Sequence, residues 1–328
     1  MKDQNMKLKL STIGLGGLLF ILLVQGLPES AEKKPIRIAY LQNDIHHLPC
    51  WVALEKGFYA REGLEVQVAG IFKAGPELMS AFAAGALDAG YVGEAPATTA
   101  VANKTAKVVV LAQVNVEGSA LVVKKDSPIH KVTDLAGKSV AIPGHATVQD
   151  FLFKKALLNN KMDQKQVKTL VIKPPEMIGA LRTDQVEAFI AWEPFPAKAQ
   201  TMEVGRVLAY SRELWKDHPC CVLAVEAKFL ETQPDSAKKL VRAHVKATDF
   251  IQQNPEEAIK IGAKYTGLDE KTIALALKNV RYTYHLSVDG EKEYVDFLSQ
   301  MKYIKVENPQ AFIREFLNLE ILAEVLKK

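Results

Sequence analysis

The chain has 328 residues, 48% of them hydrophobic and 24% charged, with a formal net charge of +4. That length exceeds one ordinary domain and suits two lobes or one large α/β unit. The balance is only mildly basic and no Lys/Arg block stands out, so a nucleic acid or other polyanionic partner is not implied.

The N-terminus bears on compartment. Lys2, Lys7 and Lys9 make a positive start, and residues 15–24 are almost wholly apolar. About ten such residues are too few to span a membrane comfortably and suit the apolar core of a signal peptide. A leader is therefore expected over 1–31, with the mature chain beginning between Leu27 and Glu32. Val24-Gln25-Gly26 and Glu29-Ser30-Ala31 both end on a small residue, so the cleavage point stays open. A leader retained as an anchor is the alternative reading. No Cys lies near this segment, which excludes a lipid-modified cysteine anchor.

After a polar linker, residues 35–41 read as a buried strand. Residues 49–60 read as a helix, with Trp51, Leu54, Phe58 and Tyr59 at helical spacing. Gly63 closes it, and 64–69 form the next strand. A helix over 76–84 and a strand over 87–92 follow, then a helix from Ala95 and strands over 107–114 and 118–124. Lys125-Asp126-Ser127-Pro128 reads as a polar crossing. The alternation then restarts, with strands over 139–142, 168–172 and 186–191 and helices over 148–159, 175–182 and 194–200. Strands over 206–210 and 221–225 close the pattern. From Glu226 onward the chain reads as helices without strands, joined by turns at Asn254-Pro255, Thr266-Gly267 and Asn308-Pro309. Strands alternating with helices imply mixed, mostly parallel sheets flanked by helices. One restart implies two lobes: a first part over 32–125, a second lobe over 126–221, and a return to the first over 222–328.

Two strand–turn–helix junctions carry the chemistry. The first is Gly93-Glu94-Ala95, with Pro96 in the first turn, where its missing N–H costs nothing. The second is Gly144-His145-Ala146-Thr147. Free amides and the positive end of the helix dipole make each junction a cradle for an electronegative group. Trp192, at a strand end before Glu193-Pro194, reads as an aromatic cleft wall or, alternatively, as core. Asn43 and His46, in the loop after the first strand, are expected to reach the far end of a ligand.

Three cysteines argue against a disulfide framework. His46-His47 with Cys50, and His218-Pro219 with Cys220-Cys221, could supply soft metal ligands or an activated thiolate. Packing is the plainer reading, since buried free Cys is common, and neither metal, cofactor nor catalytic residue is expected. Whether the thiols are free, bridged or metal-bound stays open.

These residues resemble a known family. Ile36-Arg37-Ile38-Ala39-Tyr40, Ala53-Leu54-Glu55-Lys56-Gly57-Phe58-Tyr59-Ala60-Arg61-Glu62-Gly63-Leu64-Glu65-Val66 and the string from Gly85 to Pro96 look like the opening of ABC-transporter solute-binding proteins for nitrate, sulfonate and taurine. Asp134-Leu135-Ala136-Gly137-Lys138-Ser139-Val140-Ala141 and Val186-Glu187-Ala188-Phe189-Ile190-Ala191-Trp192-Glu193-Pro194 are similar to later segments of that family. The resemblance spans roughly residues 36–250. It implies a two-lobed periplasmic-binding-protein fold of type II, a monomer that captures a small solute between its lobes. It also implies delivery to an ABC permease in the inner membrane, without chemistry. Carried over onto this chain, the cleft positions are Asn43, His46, Gly93, Glu94, Ala95, Gly144, His145, Ala146, Thr147 and Trp192. The ligand is expected to be a sulfonate- or nitrate-like anion or a nitrogen heterocycle. The alternative is an exported Cys/His enzyme or a metal-binding protein on the same fold.

Overall fold

The computed structural model describes residues 34–327. The expected leader over 1–31 lies outside the described residues. Along the chain, β1 (Ile36–Leu41) leads to α1 (Leu48–Glu55), α2 (Phe58–Arg61), β2 (Val66–Phe72) and α3 (Gly75–Ala83). Then come β3 (Ala89–Gly93), α4 (Glu94–Ala102), β4 (Val108–Glu117) and β5 (Ser119–Lys124). The middle holds β6 (Ser139–Ile142), α5 (Val148–Asn159), β7 (Lys168–Val171), α6 (Pro174–Arg182), β8 (Ala188–Trp192), α7 (Phe195–Thr201), β9 (Gly205–Tyr210) and α8 (Ser211–Leu214). β10 (Pro219–Glu226) follows, then α9 (Ala227–Thr232), α10 (Pro234–Gln253), α11 (Pro255–Thr266) and α12 (Glu270–Leu277). β11 (Val280–Tyr282), α13 (Val288–Gln300), α14 (Pro309–Phe316) and α15 (Leu319–Leu326) complete the described chain.

The strands form two sheets, ordered β11-β4-β10-β3-β1-β2 and β7-β6-β8-β5-β9. Both are mixed. β1 pairs in parallel with β2 and β3, and β6 with β7 and β8, as strand–helix–strand units require. The remaining pairings are antiparallel, more than the alternation by itself suggests. The reason is that β10 inserts between β3 and β4, and β5 between β8 and β9. The strands facing both helical layers are apolar on both sides: β3 and β8 are buried at every position.

Several local expectations change. The helix expected over 49–60 breaks at Gly57, which takes φ 66° and divides α1 from α2. The chain crosses from the first sheet to the second at Gly118, ahead of the polar stretch 125–128, because β5 pairs within the second sheet. The tail is not free of strands. β11 joins β4 with Val280 and Tyr282 turned inward and Arg281 outward, and three residues are too short a pattern to read from sequence. Among the described residues no helix is long and apolar enough to cross a membrane.

Candidate functional site

The carboxyl ends of β1, β3, β6 and β8 converge on one crevice, the place where open α/β sheets hold ligands. From the first sheet, Gly93 ends β3 and passes directly into α4. From the second, Thr147 caps α5: its Oγ1 accepts from the Asp150 amide at 3.2 Å and donates to the Gly144 carbonyl at 2.8 Å. The two helix starts meet. A Cβ at Gly93 would stand 3.2 Å from Val148 Cγ2 and 3.3 Å from Pro96. Between them lies a cavity of ≈ 10 Å³, about the room of one water molecule. Gly93, Pro96, Thr147, Gln149 and Trp192 form its upper walls. Asp44, Cys220 and Cys221 form its floor.

The floor is built by the turn after β1 and the first residues of β10. Asp44 accepts from the His46 amide at 3.0 Å and starts a 3-10 turn over Ile45–His47. The Tyr282 hydroxyl donates to the Ile45 carbonyl at 2.6 Å, and the Tyr294 hydroxyl to the Pro219 carbonyl at 2.6 Å. The helical tail thus fixes both segments. His46 Nε2 donates to the Gly118 carbonyl at 2.8 Å, and His46 Nδ1 faces Cys220 Sγ at 3.4 Å and Cys221 Sγ at 3.6 Å. The three cysteines are unbridged and buried. The Leu41 amide donates to His47 Nδ1 at 3.0 Å.

Burial dominates the electrostatics. It raises the Asp44 carboxyl to about 7 against the charge of His46. It also raises Glu193 to about 7, although the Ala197 amide and Asn279 donate to it. Burial opposes charge on His46 as well, but the Cys220 sulfur and Asp44 outweigh it and lift the imidazole to about 9. Burial likewise opposes ionisation of Cys220. The hydrogen bond from Cys221 and the charge of His46 nonetheless hold that thiol well below its ordinary value. The two shifts run in the direction that favours charge on both partners of the His46–Cys220 contact.

The sequence-derived cleft positions separate into three groups. Gly93, Thr147 and Trp192 line the small cavity, and His46 stands directly behind its floor. His145 and Ala146 lie farther out, in a second cavity of ≈ 380 Å³ against α3 and α4; Gly144 serves the cap of α5. Glu94, Ala95 and Asn43 are not among the residues lining either cavity. Glu94 is fully buried behind α4, where it accepts from Gln113 Nε2 at 3.0 Å. Burial raises it to about 7 against the hydrogen bond from Gln113, and burial with the Glu94 charge pushes the nearby Glu291 carboxyl well above its ordinary value. Ala95 is buried within the first turn of α4. Asn43 adopts φ 51° in the turn before Asp44.

Cys50 stands apart from the floor, beside the Tyr59 hydroxyl, with its thiol pushed up to about 12 by burial. Sequence reasoning missed Gln149 and Gly118. Gly118 takes φ 88°, and a Cβ there would stand 2.3 Å from His46 Nε2. A glycine directly after a ten-residue strand was its visible signal. A larger cavity of ≈ 480 Å³ opens on α13, α14 and α15, but its walls include the exposed Val288 and Leu319 rather than convergent buried polar groups.

Known proteins resemble this chain over most of its length. A protein of Brucella abortus (strain 2308) named only as a binding protein is 27% identical over 252 residues, 76% of this chain and 77% of its own. The taurine-binding periplasmic protein of Escherichia coli (strain K12) is 27% identical over 220 residues, 64% of this chain and 67% of its own. The solved structure of the ligand-binding component of an ABC-type import system from Staphylococcus aureus, with zinc bound, superposes with a TM-score of 0.79 at 17% identity. That superposition covers 89% of this chain and 99% of the other. The architecture is the periplasmic-binding-protein fold. The model of the NMT1-like family matches residues 29–265, and the chain belongs to that family.

Proposed function

We propose that this protein is an exported, monomeric solute-binding component of an ABC-type importer. It holds a small solute between two lobes built on the two sheets and hands it to a membrane permease. The observation that carries this reading is the meeting of the α4 and α5 starts, one from each sheet, over a single buried cavity. Each start offers orphan amides to an electronegative group, and Trp192 offers an apolar wall. Relatives named for taurine, nitrate and aliphatic sulfonates support a small anionic or zwitterionic solute. The lining contains no Lys or Arg, so the helix starts supply the positive field. Opening admits the solute, and closure is favoured by its tighter contacts in the closed state. The protein performs no chemistry in this scheme.

Native mass spectrometry of the protein purified after export tests the reading, followed by calorimetric titration of wild type and Trp192→Ala with whatever solute is retained. Trp192 is 2% exposed, and loss of a buried aromatic anchor should weaken binding by about 2 kcal/mol. Undiminished affinity in Trp192→Ala would move the solute elsewhere. N-terminal sequencing of the same material should begin between Leu27 and Glu32; an intact Met1 would refute cleavage.

A further inference from the structure

We propose that His46, Cys220 and Cys221 form a binding site for a soft d10 metal cation, Zn2+ or Cu+, in the floor of the cleft. The inference rests on the solute-binding reading for its biological setting only, since metal affinity can be measured without any organic solute.

The three donor atoms already stand as metal ligands do. Nδ1 lies 3.4 Å and 3.6 Å from the two sulfurs, and the sulfurs lie 4.0 Å apart. An ion held tetrahedrally at about 2.3 Å from sulfur and about 2.0 Å from nitrogen sets those separations at about 3.5 and 3.8 Å. A disulfide would need about 2.05 Å between the sulfurs, and both thiols are free.

The support around the donors is also that of a metal site. Metal-binding histidines commonly donate their second ring N–H to a carbonyl or carboxylate, which fixes the ring. Here the Gly118 carbonyl takes Nε2–H and aims Nδ1 at the sulfurs. The approach depends on glycine, because any Cβ at position 118 would overlap the imidazole. Asp44 Oδ1 lies 3.5 Å from His46 Nδ1 and brings a carboxylate beside the donors without completing their set. The adjoining cavity, with the two cysteines and Asp44 in its wall, has room for one water-sized particle. That space leaves an open coordination position facing the cleft. On binding, the ion replaces the protons shared among Nδ1 and the two sulfurs, and these leave to solvent. Thiolate and imidazole donors select zinc or copper(I) over magnesium or calcium.

The test uses the full mature chain, reduced and stripped of metal under anaerobic conditions. Co2+ is titrated first as a spectroscopic probe, then displaced by Zn2+ and, separately, by Cu+. The expected result is one equivalent per chain, with near-ultraviolet thiolate-to-cobalt bands and the visible bands of tetrahedral Co2+. Cys220→Ser and Cys221→Ser should each lose those bands and weaken Zn2+ binding by more than about 100-fold. Cys50→Ser should match wild type. Should the serine variants fail to fold, X-ray absorption of zinc-loaded wild type decides. Two sulfurs at about 2.3 Å and one nitrogen at about 2.0 Å support the site, and a shell of oxygen and nitrogen alone overturns it. A wild-type titration indistinguishable from Cys220→Ser also overturns it. If metal fails to bind while an organic solute still co-purifies, this inference falls and the solute reading stands. Metal bound with no solute captured supports the site and refutes that reading.

Discussion

Acid should destabilise this protein through His244. The side chain is fully buried on α10, where Nε2 donates to the Gln113 carbonyl at 2.8 Å and Nδ1 faces the Tyr91 hydroxyl at 3.4 Å. Burial lowers its pKa from 6.5 to about 4, against the opposing pull of the Gln113 carbonyl. The unfolded chain therefore binds the proton more tightly than the folded one. Stability from this group is fully present above pH 6.5 and is lost as pH falls toward 4. By linkage the loss reaches about 2 kcal/mol at pH 5 and about 3 kcal/mol once both states are protonated. That is a large share of the 5–15 kcal/mol, roughly, that stabilises a domain. Urea unfolding at pH 7.5 and pH 5 should be compared between wild type and His244→Gln, which keeps a donor toward Gln113. Carboxylates titrate in both proteins and cancel in the difference. Wild type should lose about 2 kcal/mol more than the variant. Equal losses would refute a neutral, buried His244.

On the alkaline side, Glu193 acts in the opposite sense. Its folded pKa is raised to about 7 by burial, so its contribution is present below about 4.5 and is lost as pH rises through 7. Glu193→Gln should therefore be relatively more stable at pH 8 than at pH 5 in thermal melts, and a flat difference would count against the burial argument. Thr147→Ala removes the cap of α5 and its bond to Gly144; a loss of about 1 kcal/mol in unfolding free energy is expected, and an unchanged midpoint would show the cap to be idle. Lys173–Glu77 at 2.7 Å and Lys73–Glu176 at 3.6 Å join α3 and its preceding turn to α6 across the crevice. These pairs are largely solvated, so Lys173→Met with Lys73→Met should barely move the unfolding midpoint. It should raise the open fraction seen by X-ray scattering by up to about fivefold, as about 1 kcal/mol allows. No change in scattering would mean the pairs do not hold the crevice closed.

The sequence by itself determined what is decided within a few residues. Periodicity gave the strand–helix alternation and the helix over 148–159, and the structure adds that Thr147 caps its start. The turn from β3 into α4 followed from Gly93 and Pro96. Family resemblance carried the fold, because those local signals recur in a fixed order.

What brings distant segments together was not legible in that way. His46 meets Cys220 across 174 positions only because β10 inserts antiparallel between β3 and β4 and begins opposite the end of β4, with Pro219 paired to Val116. The tail then pins both partners through Tyr282 and Tyr294. A helix cap depends on its own neighbours, so its signal is written beside it. A donor triangle depends on sheet order and on the insertion of a late strand, which many long-range contacts choose jointly. Three-residue β11 shows the same limit, since it exists by virtue of the edge that β4 offers rather than by any pattern of its own. Local signals thus marked the strand–helix junctions at Gly93 and Gly144 and named the residue types able to serve as ligands. The tertiary structure alone decided that His46, Cys220 and Cys221 share one buried floor.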